Sequence, residues 1–154
     1  MATIHLILQG KGGVGKSMIA ALIAQYQLTK GKRPLCLDTD PVNASFQAYK
    51  GLPVTRLNIL QDEEIDPRSY DQLVELISTA KGDVVIDNGA SSFVPLSAYL
   101  ITNHVPALLQ SLSHQIVVHT VITGGQAQSD TLHGFTQLVK QFPSDVSFVV
   151  WLNP

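Results

Sequence analysis

The residues best suited to chemistry are concentrated in one short segment near the N-terminus. Residues 10–17 fit the pattern G-x-x-x-x-G-K-[ST], which is typical of a phosphate-binding loop. The glycines let the backbone curl so that consecutive N–H groups point into one hollow. A lysine then adds a full positive charge, and a serine offers a hydroxyl ligand for Mg²⁺. We expect contacts to a nucleotide from the whole segment and the residue after it: Gly10, Lys11, Gly12, Gly13, Val14, Gly15, Lys16, Ser17 and Met18.

Three aspartates that follow predicted strands form the second group of candidates. Asp38 and Asp40 come after an apolar run that ends at Leu37, and Asp87 follows Val84–Ile86. In a parallel sheet these strand ends lie at the same edge as the phosphate loop. Asp87 is placed to hold Mg²⁺ directly or through water, and its alternative role is a helix N-cap. Asp38 and Asp40 are also typical of a turn before a proline.

Three residues are candidates for roles during nucleotide cleavage. Asp40 is a candidate to orient or deprotonate the attacking water, because phosphoryl transfer needs positioning and charge more than covalent chemistry. Gly89 can offer a backbone N–H to the γ-phosphate and change conformation when that group is lost. Lys11 is not required for binding, since Lys16 already serves the phosphates. Lys11 is therefore either a solvated surface charge or a group that acts on a phosphate held elsewhere, such as in a partner subunit.

The elements that must position these residues alternate along the chain. Apolar runs rich in Val, Ile and Leu predict strands at residues 3–8, 34–37, 57–60, 83–86, 116–122 and 146–152. Amphipathic or apolar helical patterns predict helices at residues 17–30, 67–80, 94–101 and 126–141, with a further turn near residues 106–112. This alternation predicts an α/β fold with a doubly wound, mostly parallel sheet and helices on both faces. Such sheets bind ligands at the carboxyl ends of their strands.

The length of 154 residues suits a single nucleotide-binding domain over residues 1–154. The apolar run Phe148–Leu152 is typical of a central parallel strand, and Asn153 and Pro154 follow it at once. An α/β domain normally continues into a helix that covers such a strand. We therefore expect the domain to continue beyond Pro154.

Composition excludes several classes of protein. Apolar residues are 45% of the chain and charged residues 14%, which is typical of a globular protein, and the net charge of −2 gives no overall attraction to nucleic acid or acidic lipid. Cys36 is the only cysteine, so an internal disulfide is excluded. The N-terminus lacks the basic region of a secretory signal, and prolines and polar residues interrupt the most apolar stretch, residues 93–109. We expect a cytoplasmic protein that is not membrane-bound.

Several of these segments resemble the ParA/MinD superfamily of P-loop ATPases, which carry a deviant Walker A motif. Residues 11–17 match that motif, Asp38-Thr39-Asp40-Pro41 resembles its switch I, and Ile86-Asp87-Asn88-Gly89 resembles its Walker B and switch II segment. More closely, the chain is similar to TraL-type conjugal transfer proteins. That similarity covers nearly the whole chain and is carried by residues 9–17, 36–44, 87–93 and 149–154.

The resemblance implies a Mg²⁺-dependent ATPase in which two subunits sandwich two ATP molecules. Lys11 would cross to the partner's nucleotide and neutralise developing charge. Lys16 and Ser17 would hold phosphate and Mg²⁺. Asp40 would position the water, and Asp38 would support the magnesium shell or Lys11.

The resemblance also implies a base contact, and the chain departs from the family at two places. Asn153 falls where the family places an asparagine that reads the adenine edge. The family often has two prolines after the Walker B aspartate, whereas this chain has Asn88-Gly89-Ala90-Ser91, and Met18 replaces a small hydroxyl residue.

Our main hypothesis is therefore a slowly hydrolysing, ATP-dependent dimerisation switch that acts in plasmid conjugation. The alternative is an ATP-sensing binding module with little hydrolysis that recruits a transfer or partition partner. A small-molecule kinase is disfavoured because no arginine-rich lid is evident. The basic residues Lys30, Lys32 and Arg33 either complement the end of the first helix or contact DNA.

Overall fold

A computed structural model describes residues 1–61 and 64–154 as an α/β domain built on a parallel sheet. Six strands pair in the order β3-β2-β6-β1-β7-β8, and every pairing in this sheet is parallel. A separate antiparallel pair joins β4 to β5. The strands are β1 (Thr3–Ile7), β2 (Leu35–Asp38), β3 (Val54–Arg56), β4 (Leu60–Gln61), β5 (Glu64–Ile65), β6 (Val84–Asp87), β7 (Gln115–Thr123) and β8 (Ser147–Asn153).

Helices lie in the connections between the parallel strands, except between β2 and β3, which are joined by a segment without a helix. They are α1 (Lys16–Thr29), α2 (Pro67–Ser78), α3 (Phe93–Thr102), α4 (Val105–Ser111) and α5 (Gln128–Gln141). The start of α2 shows how local sequence sets a boundary: the Asp66 carboxylate accepts the N–H of Arg68 at 3.0 Å. Within residues 1–61 and 64–154, no helix combines the length and apolar character needed to span a bilayer.

The central strands are covered on both faces, which explains their continuous apolar sequences. Alternate residues of β1 point to opposite sides of the sheet. Ile4 and Leu6 pack in a cluster with α2, α3, α4 and α5, whereas Ile7 packs with α1. A slip in strand register would move buried side chains to the wrong face of the sheet, so the register is fixed. The carboxyl ends of β1, β2 and β6 therefore lie side by side.

One sequence-based expectation differs from the structure. The strand predicted at residues 57–60 is wrong for residues 57–59: β3 ends at Arg56, Leu57 and Ile59 are buried in a connecting segment, and β4 begins at Leu60. The burial of Leu57 and Ile59 accounts for the apolar pattern there without a strand. The strand predicted at residues 146–152 is present as β8, which among the described strands pairs only with β7 and lies at the edge of the sheet.

Candidate functional site

The phosphate loop joins the end of β1 to the start of α1. Gly13 and Gly15 have φ angles of 72° and 103°, which are left-handed conformations that residues with a Cβ rarely adopt. Val14, between them, is buried against the α1 side of the sheet and anchors the loop. The local sequence therefore fixes a curled backbone that opens into solvent and rests on an apolar support.

A cavity of about 510 Å³ opens over this loop. Its lining comes from the phosphate loop, from the turn after β2 and from the segment after β6. The lining residues are Gly12, Gly13, Gly15, Lys16, Ser17, Met18, Asp40, Val42, Asn43, Ser45, Ala90 and Ser91. Most of the loop residues proposed from sequence thus line the same cavity.

Lys16 is the buried cation of this cavity. The residue is only 8% exposed, and its Nζ donates to the carbonyl oxygen of Lys11 at 2.8 Å. Burial lowers the pKa of Lys16, while the nearby charges of Asp87 and Asp40 oppose that shift. The ammonium group is therefore held inside the loop by a carbonyl that a phosphate oxygen can replace.

Asp87 lies beneath the loop rather than on the cavity lining. Its side chain is buried, and its Oδ1 has no hydrogen-bond partner among the described residues. The neighbouring Ser17 hydroxyl acts to lower the pKa of Asp87. Burial above all raises the pKa of Asp87 to about 7, and the charge of Asp38 acts in the same direction.

A hard divalent cation would fit this arrangement. The donors present are one hydroxyl and one carboxylate with an unsatisfied oxygen, which is the oxygen chemistry that Mg²⁺ takes alongside substrate phosphates and water. Within residues 1–61 and 64–154, no group of three His, Cys, Asp or Glu side chains is arranged as a metal site. The residues therefore suit an ion that is shared with a bound nucleotide.

Asp38 and Asp40 shape the turn after β2. Asp38 is fully buried, and its two carboxylate oxygens accept the N–H groups of Asp40 at 3.0 Å and Gln47 at 2.9 Å. The Oδ1 of Asp40 accepts the N–H groups of Val42 at 2.9 Å and Asn43 at 3.0 Å. Asp40 faces the cavity, whereas Asp38 holds the turn from behind.

Gly89 controls how closely the turn approaches the end of β6. A Cβ placed on Gly89 would lie 2.7 Å from both Cγ and Oδ1 of Asp40. Gly89 is therefore packed against the candidate catalytic carboxylate and is not itself on the cavity lining. Because Gly89 and Asp40 are closely packed, a movement of either residue must displace the other.

Lys11 and Gly10 point to the opposite side of the loop. They line a second groove of about 440 Å³, between the start of α3 and the start of α5. The Nζ of Lys11 lies 3.0 Å from the Asp130 carboxylate of α5, and both side chains are largely exposed. The structure thus places the two lysines of the loop on opposite sides of it.

Asn153, at the end of β8, returns to the phosphate loop. Its Nδ2 donates to the carbonyl oxygen of Val14 at 3.2 Å. The residue proposed for base recognition is therefore in contact with the loop, although it is not on the lining of the main cavity.

Sequence reasoning missed three residues that organise the site. The Thr39 hydroxyl donates to the Asp87 carbonyl oxygen at 2.9 Å and ties β2 to β6. The buried Gln9 donates through Nε2 to the carbonyls of Val121 and Thr131, joining the loop to β7 and α5. A polar residue directly after an apolar strand was the available signal for Gln9, whereas no local pattern identifies Asp130.

Comparisons with known proteins identify relatives of this chain. The chain is 67% identical over its full length to "Protein TraL" of Escherichia coli and spans 64% of that protein. It is 29% identical over 144 residues, 92% of this chain, to "Protein MobD" of Acidithiobacillus ferrooxidans and covers 60% of it. The chain thus spans less than two thirds of the length of these curated relatives.

A solved structure shows the same fold at low sequence identity. The GDP complex of the signal recognition particle receptor FtsY from Elizabethkingia anophelis aligns with 97% of this chain and 48% of its own, with a TM-score of 0.53 and 17% identity. That likeness confirms the doubly wound α/β architecture of P-loop NTPases. The family described as the CobQ/CobB/MinD/ParA nucleotide binding domain matches residues 5–142. The chain therefore belongs to the CobQ/CobB/MinD/ParA family of nucleotide-binding domains.

Proposed function

We propose that this protein is a Mg²⁺-dependent ATPase that dimerises with ATP and serves plasmid conjugation. The observation that carries the proposal is the buried Asp87 oxygen that has no hydrogen-bond partner in residues 1–61 and 64–154, beside Ser17 and beneath a loop that holds Lys16. In a complex with a triphosphate, the carboxylate and the hydroxyl would bind the metal ion, and the lysine would bind the phosphates. The role in conjugation rests on the similarity to the TraL proteins.

Binding would begin with exchange of hydrogen bonds at the loop. The backbone N–H groups of residues 12–17 and the start of α1 would donate hydrogen bonds to the phosphate oxygens. Lys16 would leave the Lys11 carbonyl for a phosphate oxygen, and Ser17 and Asp87 would hold Mg²⁺, whose chemistry is to neutralise charge that develops on the phosphates. Asp38 would support this shell through the turn it organises.

Hydrolysis would use residues on both sides of the loop. Asp40 faces the cavity and would orient the attacking water, and Gly89 would transmit loss of the γ-phosphate to the turn after β2. Lys11 lies outside the cavity of its own subunit, so it would act on the nucleotide of a second copy. That position supports a dimer with ATP between the subunits.

Measurement of phosphate release from Mg·ATP under single-turnover conditions tests the proposal. We expect slow but substantial release, with a rate constant that rises with protein concentration. Lys11→Ala should lose both turnover and ATP-dependent dimerisation, whereas Lys140→Ala, an exposed lysine at the end of α5, should retain them. Full activity of Lys11→Ala as a monomer contradicts the sandwich mechanism.

A second candidate function is an ATP-sensing module that recruits a transfer or partition partner with little hydrolysis. It is favoured by the hydrogen bonds of Asp40, whose Oδ1 is engaged by two backbone N–H groups rather than free for a water. Retention of intact ATP through a single-turnover experiment, together with tight binding, would select this function over the first.

Location and further partners belong to the same proposal. A cytoplasmic location suits a nucleotide-dependent switch that meets ATP and transfer proteins. Of the basic residues considered for DNA contact, Lys32 is paired with Asp83 at 2.9 Å, while Lys30 lies over the ring of Tyr26. These contacts account for two of the three cations, and DNA binding by this cluster stays a prediction.

A further inference from the structure

Three polar residues are buried together between the turn after β2 and the start of α3. We call Thr39, Asn88 and Ser92 the polar cluster, and each of them is at most 1% exposed. Ser92 Oγ donates to Asn88 Oδ1 at 2.8 Å, and Thr39 Oγ1 lies 3.3 Å from the same oxygen. Asn88 Nδ2 donates to the Gly89 carbonyl oxygen at 3.2 Å. The Asn88 side chain is therefore the centre of the cluster and reaches both the turn and the helix.

Ser92 is not used in the way that a serine at the start of a helix normally is. It is the N-cap residue of α3, where a serine oxygen usually accepts a backbone N–H of the first turn. In the part of the chain that the structure describes, Ser92 makes no such bond, and its hydroxyl lies against Asn88 Oδ1 and the Gly89 carbonyl oxygen. The Ser92 N–H also donates to that carbonyl, at 3.3 Å. The chain thus forgoes a helix cap and instead ties α3 to the segment after β6.

On one side, the polar cluster adjoins the two residues that respond to nucleotide cleavage in the proposed function. Thr39 immediately precedes Asp40, and Asn88 immediately precedes Gly89. A Cβ placed on Gly89 would lie 2.7 Å from the Asp40 carboxylate, so the two segments are in close contact. Because buried hydrogen bonds are costly to leave unmade, a shift of Gly89 or Asp40 must displace the members of the cluster as well.

On its other side, the polar cluster leads to the second groove. Ser92 is followed by Phe93 and Val94, which line that groove together with Lys11. A Cβ placed on Gly10 would lie 3.0 Å from the ring of Phe93, so α3 begins in contact with the phosphate loop. The cluster is therefore a hydrogen-bonded connection between the main cavity and the groove on the opposite side of the loop.

We propose that Asn88 is a positioning residue that couples the γ-phosphate of a bound nucleotide to the second groove. The inference rests on the proposed function, in which Gly89 and Asp40 respond to that phosphate. When Gly89 moves, its carbonyl oxygen moves relative to the donors of Asn88 and Ser92, and the first turn of α3 is displaced with the residues that line the groove. A ligand shifts a structure only through contacts that differ between two states, and these hydrogen bonds are such contacts.

The side chain of Asn88 is what gives this chain the connection. Asn88 belongs to the segment in which the chain departs from the paired prolines of its family. A proline has neither the acceptor that Ser92 uses nor the donor that the Gly89 carbonyl uses. The role of Asn88 therefore comes from the sequence of this chain and not from the shared motif.

Amide hydrogen exchange in two nucleotide complexes tests the coupling. The protein is measured with Mg·ADP and with Mg²⁺ and adenylyl imidodiphosphate, which adds a γ-phosphate that is not hydrolysed. We expect exchange of the Phe93 and Leu96 amides to differ about tenfold between the complexes, the effect of one hydrogen bond. Ser92→Ala should reduce that difference to less than about twofold and leave the difference at residues 42–43 in place. Equal exchange at the start of α3 in the two wild-type complexes, or a full difference in Ser92→Ala, would overturn the proposal.

Two further variants control for a general loosening of α3. Ser97→Ala is the matched control, because Ser97 is also a buried serine of α3 and its Oγ has no hydrogen-bond partner within residues 1–61 and 64–154. It should keep the wild-type difference at the start of α3. Thr39→Val preserves the shape of the side chain and removes the other hydroxyl of the cluster, so it should suppress the difference as Ser92→Ala does. Equal losses in Ser97→Ala and Ser92→Ala would count against a specific role of the cluster.

Kinetics separate this inference from the proposed ATPase. In a single turnover, Ser92→Ala should lower the rate constant for phosphate release about tenfold, because Asp40 and Gly89 are no longer held in register. The Kd for Mg·ATP should change less than about twofold, since Ser92 does not line the main cavity. Equal rate constants for the wild type and Ser92→Ala would contradict the positioning role. A wild-type protein that releases no phosphate but shows the exchange difference at α3 would refute the proposed hydrolysis and still support the coupling through Asn88.

Discussion

The phosphate loop has two sides that the chain builds in different ways. On the inner side, Lys16 and Asp87 are buried; Lys16 Nζ donates to one backbone carbonyl, and Asp87 Oδ1 has no partner among the described residues. On the outer side, Lys11 and Asp130 form an ion pair whose side chains are 45% and 60% exposed. Both sides therefore hold a lysine and an aspartate, but only one side holds them away from water.

This difference determines what each side can contribute. Burial of a charge costs free energy that is recovered only when a ligand or counter-ion arrives, so the inner side is organised for nucleotide and metal. An exposed ion pair is screened by water and contributes little to stability, so its members can change partners readily. The inner side suits binding, and the outer side suits recognition of a second molecule.

Lys16→Ala should produce the largest effect. Loss of a buried, charge-assisted contact to the phosphates should weaken Mg·ATP binding by roughly a hundredfold, about 3 kcal/mol. The melting temperature of the nucleotide-free protein should not fall, because burial of the Lys16 charge is itself unfavourable. Isothermal titration calorimetry and thermal unfolding measure the two quantities.

The matched control for that experiment is the other lysine of the loop. Lys11→Ala, studied at concentrations where the protein is a monomer, should change the affinity for Mg·ATP only a few-fold, since Lys11 does not line the main cavity. Equal losses from both substitutions would show that the two sides of the loop are not distinct.

Gly89→Ala tests the packing on the inner side. The added methyl group would meet Asp40 at 2.7 Å and Pro41 at 3.0 Å, so the turn after β2 must move. Overpacking of this kind costs about 1–3 kcal/mol, measured as the free energy of unfolding in urea. Gly51→Ala is the control, because a Cβ there meets no atom within 4 Å. An unchanged stability for Gly89→Ala would mean that Asp40 is held only loosely.

Sequence reasoning proposes more residues on the inner side than on the outer side. Residues 10–17 and Asp87 were predicted because a loop of eight consecutive residues and an aspartate after an apolar strand leave local signals. The pairing of Lys11 with Asp130 spans 119 positions and depends on how α5 packs, which no local pattern records. The apolar run of β8 was recognised, but its place in the strand order depends on elements that its own residues do not encode.

Three hydrogen-bonded side chains outside the main cavity allow the effect of burial to be measured apart from nucleotide binding. Trp151 Nε1 donates to His119 Nδ1 at 3.0 Å, and His119 Nε2 lies 2.9 Å from His5 Nδ1. Burial first, and then the charge of His5, lowers the pKa of His119 to about 4, and burial also lowers the pKa of His5. Because Nδ1 of His119 accepts a hydrogen bond, the folded protein requires a neutral imidazole at His119.

The sign of the pH effect follows from that requirement. The unfolded chain takes up protons below about pH 6.5, whereas folded His119 does not until about pH 4, so stability is lost as the pH falls. One such histidine contributes about 1.4 kcal/mol per pH unit, or about 2 kcal/mol between pH 6.5 and pH 5. The loss measured by urea unfolding should shrink by that amount in His119→Gln but not in His133→Gln, whose residue is exposed. Identical pH profiles for the two variants would contradict the assignment.

Asp130→Asn should have the smallest effect, and this makes it the sharpest test of the outer side. Exposed ion pairs contribute about 0.5 kcal/mol or less, so the free energy of unfolding should hardly change despite the 3.0 Å contact with Lys11. The pair between Lys32 and Asp83 is the control: its aspartate is only 11% exposed and also accepts the N–H of Thr3, so Asp83→Asn should destabilise the protein more. If Asp130→Asn were the more damaging substitution, Lys11 would be part of the folded framework rather than a group free to leave its aspartate, and its proposed reach to a second subunit would lose its physical basis.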